Sequence, residues 1–184
     1  MKKILLTSTG FDNKNLEKIF LDNLVKPVHD TKVVFVPTAA NDEESKSVIP
    51  FCLQDLTNAG IEESNIMTYD CDHVLSLETL MTFDAIYVCG GSETYLMEAM
   101  NKIGFTSVLK DAIFQGLFYI GVSAGSMILT TSVENSLGII PNPLEPHCEE
   151  DITPCGSIPE AGKPINISDN QAVWISDETS LISE

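Results

Sequence analysis

The sequence predicts an α/β protein built on a doubly wound, mostly parallel sheet with helices on both faces. Short runs of aliphatic and β-branched residues alternate with longer segments of helical spacing, the pattern of successive βαβ units. The short runs are continuously apolar rather than alternating, as expected of strands covered on both sides. Strands are expected at residues 3–7, 31–37, 65–69, 85–89 and 118–122. A helix over 13–24 puts Leu16, Ile19, Phe20 and Leu24 on one face. A second, over 43–58, presents Val48, Phe51, Cys52 and Leu56, with Gly60 just beyond as a stop. Helices over 94–102 and 106–115 continue the alternation, and another is expected from residue 123 or 124 to about 131. Past residue 132 proline and glycine become frequent and the chain reads as loop. Apolar patches at 165–167, 172–175 and 181–182 predict two or three short strands at the sheet edge. No repeat or linker divides the chain, so one domain is expected over 1–184.

Composition narrows the function classes. A chain of 184 residues can bury a sizeable core without disulfide staples. Its 43% hydrophobic and 20% charged content are those of a soluble globular protein, and no apolar run is long enough to cross a bilayer. The N-terminal apolar run Ile4-Leu5-Leu6 ends at Thr7, too short for the core of a signal peptide, and reads as the first strand. Five cysteines, an odd number, form no C-x-x-C pair and show no zinc spacing, which points to a reducing cytoplasm. A net charge of -17 repels nucleic-acid phosphates and anionic lipid surfaces, so neither is expected as a partner. All ten basic side chains are lysine, so no guanidinium fork is available to grip a carboxylate or phosphate.

The sharpest local signal is Gly121-Val122-Ser123-Ala124-Gly125, a G-x-S-x-G element between an apolar strand and a helical segment. A strand-turn-helix elbow of this kind lifts its central side chain above the carboxyl end of the sheet and sets it at a helix N-terminus. There free N–H groups favour developing negative charge. Ser123 is the candidate nucleophile; the alternative is a serine that only caps a helix. A second strand, Ile86 to Cys89, ends in Gly90-Gly91-Ser92 before another helical segment. Paired glycines allow close backbone approach to a substrate, so Gly90, Gly91 and Ser92, together with Ala124, are candidates for substrate and oxyanion contacts. A phosphate-cradling turn is the alternative, but neither G-x-G-x-x-G nor a G-K-[ST] ending is present.

A serine nucleophile needs a base, and three histidines are available. His147, in the proline-rich loop Pro146-His147-Cys148, is the candidate, while His29 and His73 sit in polar surroundings and read as surface residues. Asp169 stands at a turn between two apolar runs and is the candidate third member, with Glu149, Glu150 and Asp151 as rivals. Cys89 and Cys148 lie near these residues in sequence and receive no role.

Taken together, Gly90-Gly91-Ser92-Glu93-Thr94 and Gly121-Val122-Ser123-Ala124-Gly125-Ser126 resemble the peptidase E and cyanophycinase family, the S51 serine peptidases. Pro37-Thr38-Ala39, Leu144-Glu145-Pro146-His147 and the 166–172 turn are similar to further family motifs. The resemblance implies a flavodoxin-like fold akin to class I glutamine amidotransferases, with no metal or cofactor and often a homodimer. By residue it implies Ser123 as nucleophile, His147 as base, Asp169 where the family commonly has Glu, and Gly91 with Ala124 as oxyanion donors. The implied activity is hydrolysis of small peptides such as N-terminal aspartyl dipeptides. Two departures stand out. The Gly- and Pro-rich segment between His147 and Asp169 replaces a stretch where relatives place an additional helix. Without arginine, a substrate carboxylate would have to be held by Lys163, backbone N–H groups or hydroxyls. The rival readings are a binding or regulatory homologue without turnover, and an esterase or amidase on the same architecture.

Overall fold

In the computed structural model, which describes residues 2–177 and 179–184, every strand expected in the first 122 residues forms, most with slightly trimmed ends. The elements run β1 (Lys3–Thr7), α1 (Lys14–Asp22), β2 (Val33–Val36), α2 (Glu43–Lys46), α3 (Ile49–Asn58) and β3 (Ile66–Thr68). Next come α4 (Leu77–Leu80), β4 (Ala85–Val88), α5 (Glu93–Lys102), α6 (Phe105–Gln115), β5 (Phe118–Val122) and α7 (Ala124–Met127). The last part contributes β6 (Leu144–Glu145), β7 (Gly156–Ser157), β8 (Ile165–Asn166), β9 (Ala172–Ser176) and β10 (Ser180–Ser183). No helix among the described residues is long and apolar enough to cross a membrane.

The main sheet runs β3-β2-β4-β5-β1-β9-β10-β7, parallel from β3 to β1 and antiparallel from there on. Its parallel part is the doubly wound order 2-1-3-4-5 of flavodoxin-like folds, with the first strand of this chain in the fifth place. That arrangement sets β1 directly beside β5, and so brings the Thr7-Ser8-Thr9 turn next to the elbow. Because successive side chains alternate across a strand, each apolar run feeds two cores. Ile4, Leu6, Val34, Val36, Ile86 and Val88 join residues of α4 to α7 on one face. Leu5, Val33, Phe35, Ala85 and Tyr87 join Leu16 and Phe20 of α1 and Cys52 and Leu56 of α3 on the other. Each fully buried aliphatic or aromatic side chain contributes roughly 1.5–3 kcal/mol. Strands covered on both faces therefore stabilise both cores at once.

Three expectations are corrected. The helix expected over 43–58 is two helices, because Pro50 has no N–H to donate and its ring would clash inside a continuous helix; it sits instead in the first turn of α3. The helix after the elbow ends at Met127 rather than near 131. The carbonyls of Ile128 and Leu129 accept from Leu137, Ile139 and Ile140, so the chain folds back on itself instead of winding on. Finally, 165–167 does not join the main sheet: β8 pairs with β6 in a separate two-stranded sheet, while β9 lies against β1 well inside the main one.

One ionisable group is built into this framework. Asp55 of α3 accepts from the Phe11 N–H at 3.0 Å and from the Tyr87 hydroxyl at 2.5 Å. A Cβ at Gly10 would lie 2.0 Å from the same carboxylate oxygen, and Gly10 adopts φ +88°. Burial raises the Asp55 carboxyl from its ordinary 3.8 to about 6, against the lowering effect of these two donors. Between those values the native state holds a proton that the unfolded chain has released, so the contribution to stability is largest below pH 3.8 and is lost as pH rises through 6. Asp55→Asn is therefore expected to be more stable than the parent at pH 8, by about 1–3 kcal/mol after allowance for partial solvent access. The gain should shrink towards pH 4, and thermal unfolding at both pH values checks it. A gain that grew on acidification would contradict the assignment.

Candidate active site

The elbow is held by backbone packing. Strand β5 is wholly buried and runs into Ser123, whose φ of 47° and ψ of -108° lie outside the regions a non-glycine residue ordinarily adopts. Its N–H donates to the Thr7 carbonyl at 2.9 Å, and its carbonyl accepts from Ser126 and Met127 at 2.8 and 3.0 Å. The flanking glycines are required by clearance. A Cβ at Gly121 would sit 2.6 Å from the Gly125 carbonyl oxygen, and one at Gly125 would sit 2.3 Å from the Val88 carbonyl oxygen. The buried Tyr119 hydroxyl donates to the Gly125 carbonyl at 2.5 Å. Ser126 ties the turn to β1: its hydroxyl oxygen accepts from the Thr7 N–H at 3.0 Å and lies 2.8 Å from the carbonyls of both Thr7 and Gly121.

Two loops meet above this turn. His147 Nε2 lies 3.0 Å from Ser123 Oγ, and His147 Nδ1 lies 2.7 Å from Asp169 Oδ1. The β6–β8 pairing sets the two loops side by side, with the Ile167 N–H donating to the Glu145 carbonyl at 2.9 Å and the Cys148 N–H to the Ile167 carbonyl at 3.0 Å. Ser8 joins them. Its hydroxyl accepts from the His147 N–H at 3.1 Å and donates to the Ser168 carbonyl at 3.1 Å. Thr9 Oγ1 donates to the Asp169 carbonyl at 3.1 Å, and Asn13 Nδ2 to the Asn170 carbonyl at 3.0 Å. The His147 and Asp169 side chains are 48% and 58% exposed, so these backbone contacts, rather than burial, hold the pair in register.

The glycine turn after β4 faces the same place. A Cβ at Gly90 would come within 3.3 Å of the Ser123 Cβ. Gly91 has φ +136° and packs so closely on Ala39 that a Cβ would meet its carbonyl oxygen at 2.2 Å. The Ser92 N–H donates to that carbonyl at 2.8 Å, while the Ser92 hydroxyl caps α5 by accepting from the Tyr95 N–H at 3.2 Å. The N–H groups of Gly91 and Ala124 meet no protein acceptor among the described residues. Ser8, Gly90, Gly91, Ser92, Ser123 and His147 all line one open cleft of about 670 Å³.

The other candidates lie elsewhere. His29 and His73 are exposed and face the neighbouring carboxylates of Asp30 and Asp72. Glu149, Glu150 and Asp151 are exposed and do not reach the imidazole that Asp169 holds. Burial pushes the Cys89 thiol well above its ordinary range, so it is a protonated core group beneath the glycine turn. Burial and the nearby Glu145 likewise raise Cys148. Lys163 is not at the cleft; its backbone is tied to Glu160 and Asn142. Among the described residues no group of three or more His, Cys, Asp or Glu side chains is placed to hold a metal ion. Sequence reasoning missed Ser8, Thr9 and the staple role of Ser126. The polar Thr7-Ser8-Thr9 end of the first strand was the available signal.

The chain is similar to known proteins. The chain is 31% identical to an uncharacterized peptidase of Listeria innocua over 135 residues, which is 72% of this chain and 62% of that relative. The match thus spans less than two thirds of the relative's length. A crystal structure from Listeria monocytogenes named for peptidase E superposes with a TM-score of 0.77 at 20% identity, covering 100% of this chain and 98% of that one. A peptidase structure from an acI-B1 actinobacterium gives 0.69 at 20% identity, covering 100% and 87%. At that identity the two structures speak for the fold. The model of peptidase family S51 matches residues 4–182, and the chain belongs to that family.

Proposed function

We propose that the protein is a serine peptidase that cleaves small peptides through an acyl-enzyme on Ser123. The observation that carries this reading is the continuous hydrogen-bonded path from Ser123 Oγ to His147 Nε2, at 3.0 Å, and from His147 Nδ1 to Asp169 Oδ1, at 2.7 Å. An ionised carboxylate only accepts, so Nδ1 carries the proton and Nε2 presents a lone pair to the serine hydroxyl. In that tautomer His147 takes the Ser123 proton as Oγ attacks the scissile carbonyl, and Asp169 stabilises the imidazolium that results. His147 then returns the proton to the departing amine. Water, deprotonated by the same imidazole, hydrolyses the ester. The N–H groups of Gly91 and Ala124, without a protein acceptor among the described residues, are the natural donors to the tetrahedral oxyanion, with Ala124 opening the helix after the elbow. An esterase would use the same machinery; family membership favours the amide bond.

Ser123→Ala is expected to lower turnover by about 10⁴-fold or more while leaving the unfolding temperature nearly unchanged, and to abolish labelling by a fluorophosphonate probe. Retained turnover in that variant would overturn the reading.

Ser8 acts as a positioning residue under this proposal, since it holds the His147 backbone and the segment just before Asp169 in one place. Ser8→Ala should slow fluorophosphonate labelling and reduce kcat by roughly 10- to 100-fold through displacement of the imidazole, with KM little altered. A purely structural contribution would instead lower the unfolding temperature without this split between kcat and KM.

A further inference from the structure

The cleft that holds Ser123 has a charge of one sign. Asp12, Asp42, Glu44 and Glu93 line it, and no lysine does. None of these four carboxylates forms an ion pair with a lysine among the described residues. Hydrogen bonds favour the ionised form of Asp42. It accepts from the Ser45 N–H and hydroxyl, both at 2.8 Å, and these bonds, with a smaller contribution from Lys46, keep its carboxyl below the usual range. Apolar surface lies alongside: Val48 and Phe51, from the same continuous stretch across α2 and α3, also line the cleft, and Phe51 is 67% exposed. A concave, partly apolar wall concentrates the field of the carboxylates around it.

Resting on the peptidase reading above, we propose that this cleft selects peptides bearing a positive charge next to the scissile bond and disfavours aspartyl peptides. A substrate carboxylate would enter a negative field with no lysine in the cleft lining to receive it, and the sequence has no arginine. A lysine or arginine side chain matches both surfaces, with its methylene stem on Val48 and Phe51 and its charged head among the carboxylates. The α-ammonium of a peptide N-terminus carries the same charge without the stem. The field also helps expel the product, because hydrolysis creates a carboxylate at the acyl carbon released from Ser123.

The test uses matched peptides that differ at one residue beside the scissile bond, lysine, norleucine or aspartate, each with a free and an acetylated N-terminus. The wild-type protein is expected to give kcat/KM in the order lysine, norleucine, aspartate, with lysine at least about 10-fold above aspartate and the gap narrowing as salt is raised. A preference that survives acetylation assigns the charge to the side chain, and one that vanishes assigns it to the terminus. Asp42→Asn with Glu44→Gln removes two charges while asparagine keeps the helix cap, and should reduce the gap several-fold. Equal rates, or a preference for aspartate, would overturn the proposal. Binding of the same peptides to Ser123→Ala protein separates the two readings, because affinity needs no catalysis. Fluorophosphonate labelling without charge preference sinks the specificity alone. Charge-selective binding by a protein that is never labelled leaves the specificity standing and sinks the nucleophile.

Discussion

The contact on which the candidate site depends is a close approach of backbone to backbone at the carboxyl ends of three neighbouring strands. Gly125 passes so near the Val88 carbonyl, and Gly121 so near Gly125, that neither position has room for a methyl group. That clearance lets the chain turn within one residue from β5 into α7, and the turn forces Ser123 into its unusual backbone conformation. Such strain persists only where surrounding contacts over-determine it. Here the Ser123 N–H on Thr7, the Ser126 hydroxyl between Thr7 and Gly121, and the Tyr119 hydroxyl on Gly125 supply those contacts.

The same strand neighbour organises the rest of the site. Thr7 fixes the elbow from β1, and the next residue, Ser8, collects the loops that carry His147 and Asp169. The hydrogen-bonded path is therefore assembled on one short turn at the end of β1, not on a network of buried side chains. This accounts for a histidine and an aspartate that are about half exposed yet aligned. A buried carboxylate would be oriented by its surroundings; an exposed one needs its backbone tethered, as Thr9 does for Asp169.

Electrostatics separates this chain from a simple reading of its family resemblance. The acidic surplus of the sequence extends into the cleft, where no lysine or arginine answers it. Carboxylate recognition and this lining are in physical conflict, whereas an ammonium or guanidinium group is compatible with it. The residues around Ser123 and the acidic walls of the cleft are thus separable features, set by different elements: β1, β5 and the two loops for the first, and chiefly α2 with the start of α3 for the second.

The sequence by itself determined what depends on neighbours along the chain. Apolar runs bounded by helical spacing gave the strands. The glycine pair at 121 and 125 marked the elbow, since the turn, the strand before it and the helix start after it are all local. It also nominated His147 and Asp169, from loop position and family resemblance. Where local pattern misled, a specific atom was responsible, as with the missing N–H of Pro50 and the carbonyls of Ile128 and Leu129 that bond to a later segment. Only the tertiary structure decided that β1 lies beside β5, that Ser8 bridges residues 139 and 160 positions away, and that four carboxylates share a cleft with Ser123. Those facts follow from strand order and loop packing. They are long-range consequences of burying two sheet faces at once, and no periodicity within a window of the chain encodes them.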